Sequence, residues 1–164
     1  MEMIFNLKYG VPKGSCLGPL LFTIYASQLF DVIESHLPDA HAYADDTQLY
    51  ISFNPNLITD TENAFSAIES CINDLRLLMI KNKLMFNDSK TELLLVGTPR
   101  QLQKVTCNTS ITVGESLIKP ADVVRDLGAW FDQTLSMNTH VRKISGYGVA
   151  MGSPLAPILA NLFL

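Results

Sequence analysis

Two aspartates stand side by side in "AYADDTQLYI", residues 42–51, between apolar and aromatic residues that otherwise read as a strand. Adjacent carboxylates repel each other, and burying them without a cation is costly. Asp45 and Asp46 therefore belong either to a solvated acidic turn or to a site for a hard divalent cation, which takes oxygen ligands. Other reactive types are scattered. Cys16, Cys71 and Cys107 show no CxxC spacing, and His36, His41 and His140 form no ligand cluster with them. That pattern argues against a zinc site or a disulfide framework and for a reducing intracellular compartment.

The elements that must hold these residues follow from periodicity. Gly10, Pro12, Gly14 and Ser15 make a turn-rich loop. After it, Leu17, Leu20, Leu21, Ile24, Tyr25, Leu29, Val32 and Ile33 repeat at helical spacing, with an end expected near Leu37-Pro38-Asp39. "HAYA" and "TQLYISF" read as two strands of a hairpin carrying Asp45-Asp46 between them. Thr59 and Glu62 form a capping-box pattern before a long amphipathic helix marked by Phe65, Ile68, Ile72 and Leu75 and reaching about Lys83. "FNDSK" is a loop and "TELLLVG" a buried strand. Residues 111–132 predict two or three short strands, with turns at Val113-Gly114 and Lys119-Pro120. "SMNTHVRKI" begins a further helix with Ser136 as its cap. The order predicts an α+β fold: an antiparallel sheet with helices packed on one face.

A chain of 164 residues suits one domain with a real core. With 48% hydrophobic and 17% charged residues it is globular, and a net charge of −4 with a pI near 5.2 counts against an autonomous nucleic-acid binder, which usually shows a basic stripe. The start "MEMIFNLKYG" has no basic region ahead of an apolar run, so no secretory leader is expected. The tail "YGVAMGSPLAPILANLFL" is apolar but broken by two glycines and two prolines, and reads as an interrupted helix, not a membrane span. It also contains a repeat. "GVPKGSCLGPLLF" at 10–22 and "GVAMGSPLAPILA" at 148–160 share Gly, Val, Gly, Ser, Leu, Pro and Leu at a constant offset.

"GVPKGSCLGPLLFTIYASQL", "YADDTQLYISF", "FNDSKTELLLVG" and "VVRDLGAWFDQTLSMNTHV" resemble, in this order, the later palm motifs of reverse transcriptases from non-long-terminal-repeat (LINE-type) retrotransposons. The resemblance covers residues 10 to about 144. It implies an RNA-directed DNA polymerase palm in which Asp45 is a ligand of catalytic Mg²⁺ ions and Asp46 assists. Two such ions about 4 Å apart stabilise the attacking and leaving oxygens of a phosphoryl displacement. It further implies that Pro12, Lys13, Gly14 and Ser15 touch the incoming nucleotide and template. Tyr43 would sit by the primer terminus, Lys90 would protonate pyrophosphate, and Leu127 with Gly128 would support the primer. Lys13 departs from the family's usual glutamine. Plainer readings exist for each: a helix N-cap loop, a strand aromatic, a solvated lysine, and a sheet-edge turn beside Trp130. RNA template and DNA primer are the implied partners.

The palm also needs a third carboxylate on a strand ahead of the "GVPKGS" loop. The lead "MEMIFNLKY" offers only Glu2 and no FxxxD-like motif. Without an opposing ligand, Mg²⁺ is expected to be held weakly, and the chain is expected not to polymerise or bind nucleic acid by itself. Residues 1–145 thus read as a partial palm. Residues 146–164 read as the start of a second reverse transcriptase motif, resembling Penelope-like elements. The competing reading is a non-catalytic folded remnant or interaction module.

Overall fold

The computed structural model describes residues 15–43, 46–84, 86–105, 109–146 and 159–163. Helix α1, Gly18–His36, forms where the apolar spacing predicts it, with Pro19 in its first turn, where a missing N–H costs nothing. It ends as Leu37 turns extended ahead of Pro38, the conformation that a following proline favours. Strands β1, Asp39–Tyr43, and β2, Asp46–Ser52, pair antiparallel, with Asp39 opposite Tyr50 and Tyr43 opposite Asp46.

Helix α2 spans Ile58–Lys81, so the expected capping box does not form: Thr59 already lies inside the first turn, and Leu57 precedes the helix without a side-chain cap. The start is held instead by Asp60, whose Oδ2 accepts from the Asn54 amide at 2.5 Å. An acid in the first turn also suits the helix dipole. A capping box is present elsewhere, between Thr98 and Gln101, at the head of the short helix α3, Pro99–Leu102. Between them lie a 3₁₀ turn, Asp88–Lys90, and strand β3, Glu92–Val96.

Two small antiparallel hairpins follow: β4, Ile111–Val113, with β5, Ser116–Ile118, and β6, Val123–Asp126, with β7, Ala129–Asp132. Helix α4, Asn138–Gly146, begins two residues after Ser136, whose hydroxyl accepts from the Asn138 amide at 3.3 Å. The fold is α+β, as the order of elements predicts.

The tail departs from expectation. Within it, Leu159–Phe163 is not helical but a strand, β8, lying between β2 and β3 and parallel to both. The main sheet, β1-β2-β8-β3, is therefore mixed. A short apolar run fits a buried strand or a buried helix equally well by pattern, and pairing partners decide between them. Residues 147–158 lie outside the described part.

Alternation along the strands splits the sheet into two faces. Leu49, Leu93 and Leu95 join Leu29, Ile33 and Leu37 of α1 and Phe65, Ile68, Ile72 and Leu75 of α2 in the main core. Phe53 meets Phe65 edge to face at 6.1 Å. Leu94 and Val96 look the other way and form a second apolar cluster with Val124, Ala121 and Phe131. The β6–β7 hairpin covers that face, and it is the face on which polar chemistry gathers.

Candidate active site

Asp46 opens β2 and is buried, with 6% of its surface exposed. Gln48 and Tyr50 follow at period two on the same face. The Tyr50 hydroxyl donates to Gln48 Oε1, and Gln48 Nε2 donates to Asp126 Oδ2 at the end of β6. These three residues line, with Leu94, Val96, Phe131 and Leu135, a cavity of about 150 Å³ between sheet and hairpin. Burial holds the Asp126 carboxyl above its ordinary pKa, partly opposed by the Leu127 amide that donates to it. Glu92, at the head of β3, is raised by burial as well, and the Arg125 amide donates to it. The hairpin is thus pinned to the sheet at two carboxyl groups.

Register places Lys90. Gln48 and Glu92 both lie opposite Leu159, so β2 and β3 start at the same end of the sheet. Asp46 at the start of β2 and Lys90 in the turn just ahead of β3 therefore lie toward the same end of the sheet. Lys90 is exposed at the end of the 3₁₀ turn, which Asp88 ties to α2 through Arg76 at 2.6 Å. Tyr43 is 70% exposed on β1, opposite Asp46.

Leu127 and Gly128 form the two-residue turn between β6 and β7, with φ of 44° and 89°. Positive φ at both central positions is what a two-residue hairpin turn of this twist requires. Gly128 supplies it freely, whereas Leu127, exposed and non-glycine, does so at a cost. Beside the turn, Lys143 Nζ stands 3.4 Å from the Trp130 ring centroid and the Arg125 guanidinium carbon 5.6 Å from it. The Trp130 amide donates to His140 Nδ1 at 3.1 Å.

The reverse transcriptase (RNA-dependent DNA polymerase) family profile matches residues 3–129. The chain belongs to the reverse transcriptase family. None of the curated proteins and none of the solved structures matches it. Reverse transcriptases use divalent metal ions and bind an RNA template and a DNA primer.

Of the site residues expected in this reverse transcriptase chain, Asp46, Lys90 and Tyr43 gather at one end of the main sheet, and Leu127 and Gly128 lie on the hairpin that covers its polar face. Ser15 lies just ahead of α1, where its hydroxyl accepts from the Leu17 amide at 3.3 Å. Asp45, Pro12, Lys13 and Gly14 lie outside the described residues. Gln48, Glu92 and Asp126 were not singled out from the sequence. The alternation Asp46-Gln48-Tyr50 was the available signal, but its link to Asp126 exists only in three dimensions. Among the described residues, no three or more His, Cys, Asp or Glu side chains could together hold a metal ion. The donors described do not by themselves fit a two-metal centre: Asp126 is engaged by Gln48 and the Leu127 amide, and burial favours its neutral form. Also among the described residues, no helix is long and apolar enough to cross a membrane.

Proposed function

We propose that this chain is part of a LINE-type reverse transcriptase palm whose parent enzyme carries out Mg²⁺-dependent nucleotidyl transfer, and that the 164-residue polypeptide does not polymerise by itself. Asp45 and Asp46 are the metal ligands of this reading and Tyr43 borders the primer terminus. Pro12, Lys13, Gly14 and Ser15 contact nucleotide and template, Lys90 serves the leaving pyrophosphate, and Leu127 with Gly128 supports the primer. Residues 1–145 are the palm portion, and 146–164 derive from a second, Penelope-like motif. The protein is intracellular, and its autonomous affinity for nucleic acid is low.

The observation that carries the reading is Asp46 at the mouth of the β1–β2 hairpin, on the sheet face that also holds Gln48 and the Asp126 contact. Inactivity is supported by the strand beside β2, whose residues Leu-Ala-Asn-Leu-Phe bring no carboxylate alongside it. A second reading, a folded module without catalysis, is favoured by the same strand, since a segment of the chain itself fills the gap between β2 and β3.

Paramagnetic Mn²⁺ titration tests the metal assignment without relying on activity. Amide signals around residues 43–48 should broaden at millimolar Mn²⁺, and Asp45→Asn should remove the effect. Broadening spread over unrelated acids rejects the assignment. Primer extension on an RNA template should be absent; extension that Asp45→Ala abolishes shows the polypeptide to be a complete enzyme.

A further inference from the structure

Strands β2 and β3 never pair with each other. Both bond to β8, through an unbroken register from Gln48–Leu159–Glu92 to Ser52–Phe163–Val96. Adjacent strands lie about 4.8 Å apart, so β2 and β3 stand about 10 Å from one another. Take β8 away and a strand-wide slot remains. Each wall would present a row of unpaired amides and carbonyls, a template for another strand. Its floor is the helix-side core, where Leu49 and Leu93 are fully buried.

The occupant has no local reason to be there. The other three strands of the sheet all lie before residue 97, while β8 begins at Leu159. Parallel pairing excludes a hairpin connection to either neighbour. Leu159–Phe163 carries no charge and no proline. A segment of that kind is an aggregation hazard when left exposed, and here both of its edges are paired. Strand addition at a sheet edge normally satisfies one side of the incoming strand. This slot satisfies two.

We propose that the gap between β2 and β3 is a strand-acceptor site for an uncharged, apolar segment running parallel to both walls, with residues 159–163 as its built-in and separable ligand. The site recognises backbone on two sides and apolar side chains on its floor. It follows that the same segment supplied by a second copy of the chain takes the slot in trans. The inference rests on strand order and register and is independent of the polymerase reading.

The test uses the full chain with a protease recognition sequence inserted between Gly152 and Ser153, folded first and cut afterwards. The two pieces should co-elute on gel filtration. A fluorescein-labelled peptide of residues 153–164 should exchange into the cut protein. Peptides with Asn161→Pro or with the reversed sequence should bind weaker by roughly tenfold or more, the cost of lost ladder hydrogen bonds in a central strand. Release of the tail on cutting with no change in the melting of the remaining body overturns the proposal. So does equal binding of the native, proline and reversed peptides, which marks mere hydrophobic adhesion.

Discussion

Gly114→Ala puts a number on how the β4–β5 hairpin meets the segment that carries Lys90. Gly114 has φ of +62°, and a Cβ there would stand 2.1 Å from Arg76 Nη1 and 2.6 Å from Asp88 Oδ2. Two costs add. Left-handed backbone disfavours an L-residue by roughly 1–2 kcal/mol, and the smaller entropy of the unfolded alanine chain returns about 0.5 kcal/mol. The guanidinium must then move off Asp88, its ion-pair partner at 2.6 Å, and off Phe86, over whose ring it lies at 5.9 Å. Both members of the pair are about three-quarters covered, so disturbing it costs about 1–2 kcal/mol, between the exposed and the buried cases. The expected loss is about 2–3 kcal/mol, or roughly 5–10 °C in Tm for a chain of this size. Gly128→Ala is the internal control. Its φ is +89°, but nothing lies within 4 Å of the added Cβ, so only the backbone cost of about 1 kcal/mol applies. Denaturant and thermal melts of both variants measure the difference. In an Arg76→Ala background the Gly114→Ala cost should fall, because the nearest clashing group is gone and the carboxylate of Asp88, 2.6 Å from the added Cβ, is freed of its ion pair to give way. Equal destabilisation by the two glycine substitutions in the parent chain, or no relief from Arg76→Ala, refutes the packing argument.

Asp126 gives a pH dependence of definite sign. Its folded pKa lies above the unfolded value because burial disfavours the charge, so the carboxyl favours folding when protonated and the penalty grows as pH rises through the acid range. Asp126→Asn should therefore stabilise the fold at pH 7 and have little effect near pH 3. Melts giving the reverse order contradict the assignment. Cys71 is fully buried and its thiol is pushed up to about 12, by burial first and by Asp74 second, whereas Cys16 is exposed. Only the thiolate is the nucleophile, so alkylation of the native protein should mark Cys16 and spare Cys71 until denaturant opens the core. Equal labelling rates in the native state, read by mass spectrometry, would show that the core around α2 does not hold.

How much was legible in the residues depended on how far the relevant interaction reaches along the chain. Helix α1, the β1–β2 hairpin, α2 and β3 were readable because each shows its own period, 3.6 or 2, within a short window. The boundaries were less secure. Thr59 and Glu62 carry the capping-box spacing, yet the helix starts at Ile58, and the carboxylate of Asp60 in its first turn reaches back to accept from the Asn54 amide. The acidic pair and Leu127-Gly128 stood out through residue type alone. Gln48, Glu92 and Asp126 did not, since an ordinary polar residue acquires meaning only from the partner that folding brings to it.

Sequence alone determined the family, the α+β class, and a hairpin at the acidic pair, all properties written in residue types and local spacing, although Asp46 proves to be the first residue of β2 and not part of the link between the strands. Tertiary structure alone decided that the apolar tail contributes a strand and that this strand lies in the middle of the main sheet. It also decided that Asp126 reaches across to Gln48. The physical reason is that backbone hydrogen bonds carry no residue identity. Leu159–Phe163 could satisfy its own amides within a helix or lend them to neighbours, and only the two walls offered by β2 and β3 settle which.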